Sequence, residues 1–134
     1  MIETATPATL AGRRILVAED EYLIAEEVAA VLAEEGAEVF GPVSTVAAAL
    51  RLVAAGARLD AALLDVSLCT EAIWPVVDAL VARGVPVVLA TGYDAAALPE
   101  AYAHLPHCEK PATGGALTRA LARVLAAHCP AGGG

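Results

Sequence analysis

Charged residues that could do chemistry lie just beyond short apolar runs of this sequence. Glu19 and Asp20 follow one run, Asp65 follows another, and Lys110, the single lysine, comes right after a third. Lys110 is as far along the chain from Asp65 as Asp65 is from Asp20. If the runs are parallel strands, these side chains share the carboxyl edge of one sheet, where open α/β sheets build their sites. Carboxylates and an ammonium group at one edge can hold a divalent cation and a phosphoryl group.

The acids could bind a metal ion, or they could have a purely structural role. Asp65 alone could cap the loop after its strand, and Glu19 and Asp20 could complement the dipole of the next helix. Clustered carboxylates repel one another, however, and Mg²⁺, which prefers hard oxygen ligands, would remove that repulsion. We therefore expect Mg²⁺ at these acids. Thr91, at the end of a further apolar run, has a hydroxyl that can donate to a phosphoryl oxygen, and Lys110 can bind another.

The elements that must position these residues alternate along the chain. Near-continuous apolar strands predict a parallel sheet covered on both faces, a doubly wound α/β domain with five helices and strand order 2-1-3-4-5. Residues 13–128 form this domain, after a short lead-in at 1–12 and before a flexible tail at 129–134. The predicted strands are 14–18, 37–43, 59–65, 85–90 and 105–108; the predicted helices are 20–36, 44–55 with Ser44 as N-cap, 71–83, 95–103 and 113–128.

Composition excludes several classes of protein. The net charge of −8 argues against non-specific binding to nucleic acid. No apolar run reaches the roughly 18 residues of a membrane span, and the N-terminus lacks the pattern of a signal peptide. Three cysteines, an odd number without metal-site spacing, favour a reducing cytoplasm. We expect one cytoplasmic domain that binds neither nucleic acid nor membrane.

Four motifs, in order, resemble those of response-regulator receiver domains of bacterial two-component systems, from Arg13 to about Ala127. They are Ile-Leu-Val-Ala-Glu-Asp-Glu at 15–21, Leu-Leu-Asp-Val-Ser-Leu at 63–68, the hydroxyl residue Thr91, and Glu-Lys-Pro at 109–111. The stretch Leu-Ala-Thr-Gly-Tyr at 89–93 further resembles a subgroup with Phe-Ala-Thr-Gly after its fourth strand, known largely from alphaproteobacteria. Leu89 replaces the phenylalanine of that subgroup.

This resemblance implies a flavodoxin-like receiver fold and a self-catalysed phosphoacceptor switch, not an enzyme. Asp65 would be the phosphoacceptor, and Thr91 and Lys110 would bind phosphoryl oxygens. Mg²⁺ would be held by Glu19, Asp20, Asp65 and the main-chain carbonyl of Ser67. The partner would be a sensor histidine kinase or a phosphotransfer protein, and a homodimer is left open. With no output module in the sequence, such a single-domain receiver would act by protein contact or phosphorelay, with slow autodephosphorylation.

Three residues depart from the family pattern. Ser67 replaces the asparagine that the subgroup usually has two positions after the acceptor, where the side chain helps to set the dephosphorylation rate. His107 occupies the position of an aromatic switch residue, and its part in signalling is left open. Cys69 replaces a proline that is common in the wider family, so we expect a different loop over the site.

Three other classes of function compete with this interpretation. The first is a pseudo-receiver, an interaction module that works without phosphorylation; retention of Asp65, Lys110 and the acidic pair disfavours it. The second is a phosphatase of the dehalogenase type, which needs a second aspartate where Ser67 lies. The third is a flavin carrier, which would need a phosphate-binding loop where this chain has acids.

Overall fold

A five-stranded parallel sheet forms the centre of the computed structural model, which describes residues 10–91, 98–109 and 115–127. Along the chain the elements are β1 (Arg14–Ala18), α1 (Tyr22–Glu34), β2 (Glu38–Val43), α2 (Val46–Ala54), β3 (Ala61–Asp65), β4 (Ser67–Leu68), β5 (Glu71–Ala72), α3 (Trp74–Ala82), β6 (Val87–Thr91), β7 (His107–Glu109) and α4 (Gly115–Ala127). The sheet order is β2-β1-β3-β6-β7. Counting only these five strands, the predicted order 2-1-3-4-5 is confirmed.

The sheet separates two aliphatic layers, because alternate residues of a strand point to opposite faces. On one face, Leu16 of β1 and Leu64 of β3 pack in a cluster with α2 and α3. On the other face, Ile15 and Leu63 pack in a cluster with α1 and α4. All of β3 is buried. This double cover explains why the strands are near-continuous apolar runs, and it holds the carboxyl edge in a rigid sheet.

The helix predicted at 71–83 begins instead at Trp74, because the segment before it forms a small hairpin. Ser67–Leu68 and Glu71–Ala72 pair as antiparallel strands β4 and β5, with Cys69 and Thr70 as the two-residue turn between them. Strand pairing uses the main-chain groups of Glu71 and Ala72, so these residues cannot join the helix. The hairpin lies between the end of β3 and α3, directly beyond Asp65.

The described part of the chain contains four α-helices, where the sequence predicted five. Of the helix predicted at 95–103, residues 95–97 lie outside the described ranges, and the remainder contains only a 3₁₀ turn at Glu100–Tyr102. Pro99 explains this difference: it has an extended conformation (φ −56°, ψ 145°), and a proline disfavours helical backbone in the residue before it.

Two predicted helix starts are also shifted. Asp20 lies in a loop, and α1 has Glu21 as its N-cap. Ser44 is not the N-cap of α2; Thr45 is, and its hydroxyl accepts the Ala48 N–H at 3.1 Å. The cap of α2 shifts by a single residue because Ser44 and Thr45 are adjacent and either hydroxyl can cap a helix.

One aromatic contact joins the start of α3 to the 3₁₀ turn. Trp74 stacks on Tyr102 with ring centroids 4.3 Å apart and planes at 9°. The Tyr102 hydroxyl donates to Asp78 Oδ1 at 2.9 Å, and that bond raises the pKa of the phenol.

Within the ranges that the structure describes, no helix has the length and apolar character needed to cross a membrane.

Candidate functional site

The carboxyl edge of the sheet brings three acids together. β1 and β3 are neighbours in register, with Ala18 opposite Leu64, so Glu19 and Asp65 follow at the same level of the sheet. Asp20 completes the group, which we call the acidic cluster. One carboxylate oxygen from each of the three lies within 4.8 Å of the others. This cluster could hold a metal ion.

The acidic cluster has a buried side and an exposed side. Glu19 and Asp65 are 5% and 8% exposed, whereas Asp20 is exposed. Main-chain donors orient the two buried carboxylates: Glu21 N–H donates to Glu19 Oε2 at 3.0 Å, and Ser67 N–H lies 3.4 Å from Asp65 Oδ1. All three donate hard oxygen atoms, the type that Mg²⁺ prefers, and the exposed side leaves room for the waters that Mg²⁺ usually keeps. The residues therefore fit this ion.

A bulge at the end of β2 shapes the wall beside Glu19. The register with β1 shifts between Leu16 and Ala18, and the Glu19 N–H donates to the Val43 carbonyl at 2.9 Å. Gly41 makes this close approach possible: its φ is +106°, and a Cβ there would lie 2.7 Å from Val43 N and 2.8 Å from Val17 O. The bulge borders a groove of about 860 Å³ between Pro42, Ser44, α1 and the two acids Glu19 and Asp20.

The hairpin contributes a contact that sequence reasoning missed. The Cys69 main-chain N–H donates to Asp20 Oδ2 at 2.7 Å. A main-chain donor has no residue signature, and 49 positions separate the two residues along the chain. The signal available in the sequence was the departure at Cys69, which indicated an unusual loop but not the hairpin.

Thr91 lies at the end of β6, beside Asp65. Asp65 is opposite Ala90 in the sheet, so Thr91 is one residue further along the neighbouring strand. Its side chain is 4% exposed, and none of the described residues gives its hydroxyl oxygen a hydrogen-bond partner. A buried hydroxyl without a partner is costly, and a ligand at this edge could supply one.

The other predicted functional residues are Lys110, Ser67 and His107. Lys110 lies outside the described residues; Glu109, directly before it, is opposite Thr91. Ser67 begins β4 with an exposed side chain, and the role of its carbonyl stays a prediction. His107, at the start of β7, is exposed, and a switch role for it also stays a prediction.

Comparison with known proteins gives structural matches. No family model matches the chain, and no curated protein sequence matches it either. The solution structure of SdrG from Sphingomonas melonis Fr1 superposes with a TM-score of 0.75 at 39% identity, over 85% of this chain and 97% of that chain. The BeF3-activated conformation of SdrG from Pseudomonas melonis Fr1 superposes with a TM-score of 0.72 at 38% identity, over 86% of this chain and 98% of that one.

A third matching structure is that of a receiver protein. A response regulator receiver protein from Sinorhizobium medicae WSM419 superposes with a TM-score of 0.75 at 26% identity, over 87% of this chain and 97% of that chain. The sheet order, the acids at its carboxyl edge and these matches agree with one another. The chain belongs to the response-regulator receiver domains.

Proposed function

We propose that this receiver accepts a phosphoryl group on Asp65 from a histidine kinase or a phosphotransfer protein, in a reaction that needs Mg²⁺. The observation that carries the proposal is the acidic cluster, in which carboxylate oxygens of Glu19, Asp20 and Asp65 lie within 4.8 Å at the end of two adjacent strands. A further observation supports it: the buried Thr91 hydroxyl, beside Asp65, lacks a hydrogen-bond partner among the described residues.

The chemistry is a single phosphoryl transfer. A carboxylate oxygen of Asp65 attacks the phosphorus of a phosphohistidine in line with the bond that breaks. The new P–O bond makes an acyl phosphate. The N–P electron pair returns to the partner's imidazole, which then takes up a proton. Asp65 is consumed as a substrate, so the domain is a switch more than an enzyme.

Each remaining residue has a defined task in this scheme. Glu19, Asp20, Asp65 and the Ser67 carbonyl would hold Mg²⁺, which supplies positive charge beside the phosphoryl oxygens. The Thr91 hydroxyl donates to one phosphoryl oxygen, and the Lys110 ammonium binds another. These contacts exist only in the phosphorylated state, so they favour a rearrangement of the segment after β6.

One relative supports the proposed phosphorylation. SdrG, 38% identical, is described in a BeF3-activated conformation, and beryllium trifluoride resembles a phosphoryl group in shape and charge. We also assign the chain to the Phe-Ala-Thr-Gly subgroup, from its Leu-Ala-Thr-Gly-Tyr stretch. The activated domain would signal by protein contact or onward phosphate transfer, in the cytoplasm of a bacterium.

Intact-mass spectrometry after treatment with acetyl phosphate tests the proposal. We expect the wild type to gain one phosphoryl group with Mg²⁺ and none with a chelator. Asp65→Ala should gain none, with its circular dichroism spectrum unchanged. The matched control is Glu27→Gln, which removes an exposed acid of α1 outside the cluster and should label like the wild type. A wild type that never gains the mass would favour the pseudo-receiver, and labelling of Asp65→Ala would place the acceptor elsewhere.

A further inference from the structure

The turn of the hairpin, Cys69–Thr70, has an unusual backbone. Both residues have positive φ, 49° at Cys69 and 70° at Thr70. Two successive residues in this region, between paired antiparallel strands, are the pattern of a type I′ turn. That turn normally takes Asn-Gly or Gly-Gly, because other side chains crowd the backbone there, and a β-branched threonine does so most. Something else in the structure must hold this turn in place.

Contacts on both sides hold the turn against the acidic cluster. Leu68 is fully buried, and the Ile73 N–H donates to the Val66 carbonyl at 3.0 Å, closing the base of the hairpin. At the tip, the Cys69 N–H donates to Asp20 Oδ2 at 2.7 Å. The N–H bond is short and charge-assisted, the stronger type of hydrogen bond.

The bond to Cys69 leaves Asp20 able to bind a cation. A carboxylate offers about four lone-pair positions, and this bond uses one of them. Opposite ligands of an octahedral Mg²⁺ are about 4.2 Å apart, twice its bond length of about 2.1 Å. With the Cys69 bond in place, one oxygen from each of the three carboxylates lies within 4.8 Å of the others. The Cys69 bond is therefore compatible with Asp20 facing the same ion as Glu19 and Asp65.

Asp20 needs such support more than its two neighbours. Glu19 and Asp65 are buried, whereas Asp20 is exposed and its side chain would otherwise sample several rotamers. Like charge on Glu19 and Asp65 would also move it away from the cluster. A fixed N–H donor opposes both effects, because it restrains the side chain and places positive partial charge beside the carboxylate.

We infer that the Cys69–Thr70 turn is a positioning segment of the metal site, which holds the Asp20 carboxylate beside those of Glu19 and Asp65 through the Cys69 N–H. This inference rests on the proposed function, in which the acidic cluster binds that ion. The thiol of Cys69 has no part in it. The turn geometry matters, since it aims the main-chain N–H.

Calorimetric titration of the metal-free protein with Mg²⁺ tests this role without measuring phosphorylation. Thr70→Pro should bind Mg²⁺ about tenfold more weakly, the low end of losses seen when an outer-shell partner is removed. Proline fixes φ near −65°, so it cannot adopt the positive φ of Thr70, and the substitution removes none of the three carboxylates. The matched controls keep the turn: Cys69→Asn with Thr70→Gly should bind as tightly as the wild type or more tightly, and Cys69→Ser should bind equally.

The outcomes separate the two proposals. A wild type that does not bind Mg²⁺ would overturn the proposed function. A wild type that binds, with Thr70→Pro binding equally well, would overturn the positioning role alone. Weaker binding by Cys69→Ser would also overturn it, by assigning the effect to the thiol.

If Thr70→Pro does not fold, NMR tests the hydrogen bond between Cys69 and Asp20 directly. In the metal-free wild type, a charge-assisted bond should move the Cys69 amide proton downfield. Asp20→Ala should return that proton upfield while the Ser67 amide, which faces Asp65, changes little. A Cys69 resonance that is unaffected by Asp20→Ala would show that the bond is absent in solution, and the inference would fail.

Discussion

The central sheet and the Ser67–Ala72 hairpin contribute to the same site by opposite means. Apart from Arg14 and Asp65 at their ends, the strands β1 and β3 are aliphatic and buried, and no residue in either has positive φ. The hairpin has two residues per strand, an exposed turn, and positive φ at two residues that are not glycine. The sheet determines where Glu19 and Asp65 emerge. The hairpin acts on a single side chain, the exposed carboxylate of Asp20.

This difference indicates how the two regions should respond to substitution. Loss of buried apolar volume from the sheet removes transfer energy and leaves a cavity, so it should reduce the stability of the whole domain. The turn contributes little burial, so substitutions there should alter strain and the Asp20 contact more than global stability.

The largest expected effect comes from the sheet, with Leu64→Ala. Leu64 is fully buried directly before Asp65, and its truncation should reduce the free energy of unfolding by about 2–5 kcal/mol. The control is Leu23→Ala on α1, where the leucine is 78% exposed; it should change stability by less than about 0.5 kcal/mol. Urea unfolding compares them. Equal destabilisation by the two variants would contradict the assignment of the core.

The second largest loss of stability is expected for Gly41→Ala, at the bulge in β2. Positive φ should cost about 1–2 kcal/mol, and the crowding of a Cβ against Val43 N and Val17 O about 1–3 kcal/mol more. Gly56→Ala is the matched control, because Gly56 has φ +83° but nothing within 4 Å of a Cβ, so only the first cost applies. In thermal unfolding, Gly41→Ala should have a lower Tm than Gly56→Ala. The reverse order would refute the close approach at the bulge.

The hairpin gives a smaller effect of opposite sign. Cys69→Asn combined with Thr70→Gly supplies the residues that a type I′ turn prefers, and it should raise the free energy of unfolding by about 1 kcal/mol. Cys69→Ser keeps the strain and should leave stability unchanged. Chemical denaturation measures both. A loss of stability in the double variant would mean that the turn does not have this geometry in solution.

The smallest expected effect is a difference in alkylation rate between Cys69 and Cys108. It is measured at mildly alkaline pH in a Cys129→Ser background. Cys69 is exposed in the hairpin, whereas Cys108 is half-buried in β7 and burial raises the pKa of its thiol. The thiolate is the reactive form, so a raised pKa keeps Cys108 protonated and slow until the pH is higher. Peptide mapping should find Cys69 modified first. Faster modification of Cys108 would contradict the placement of β7 within the sheet.

The sequence predicted the sheet well because its signals are local. The apolar run before Asp65 and the run before Glu19 each predict a buried strand, and parallel strands necessarily bring their carboxyl ends to one edge. The hairpin had no such signal. Cys69-Thr70 does not resemble the Asn-Gly of a type I′ turn, so the sequence predicts that Glu71 belongs to a helix. The contact between Cys69 and Asp20 could not be predicted either, since a main-chain donor is the same in every residue but proline.

The stack of Trp74 on Tyr102 has a practical consequence. Trp74 is the one tryptophan of the sequence, so the indole emission of the native protein comes from a single position. That position is two residues beyond the end of the hairpin, and its partner ring lies in the stretch between β6 and β7. Any rearrangement of that stretch that separates the rings would change the intensity or wavelength of the emission. The protein therefore contains its own optical reporter, which needs no attached dye and no substitution.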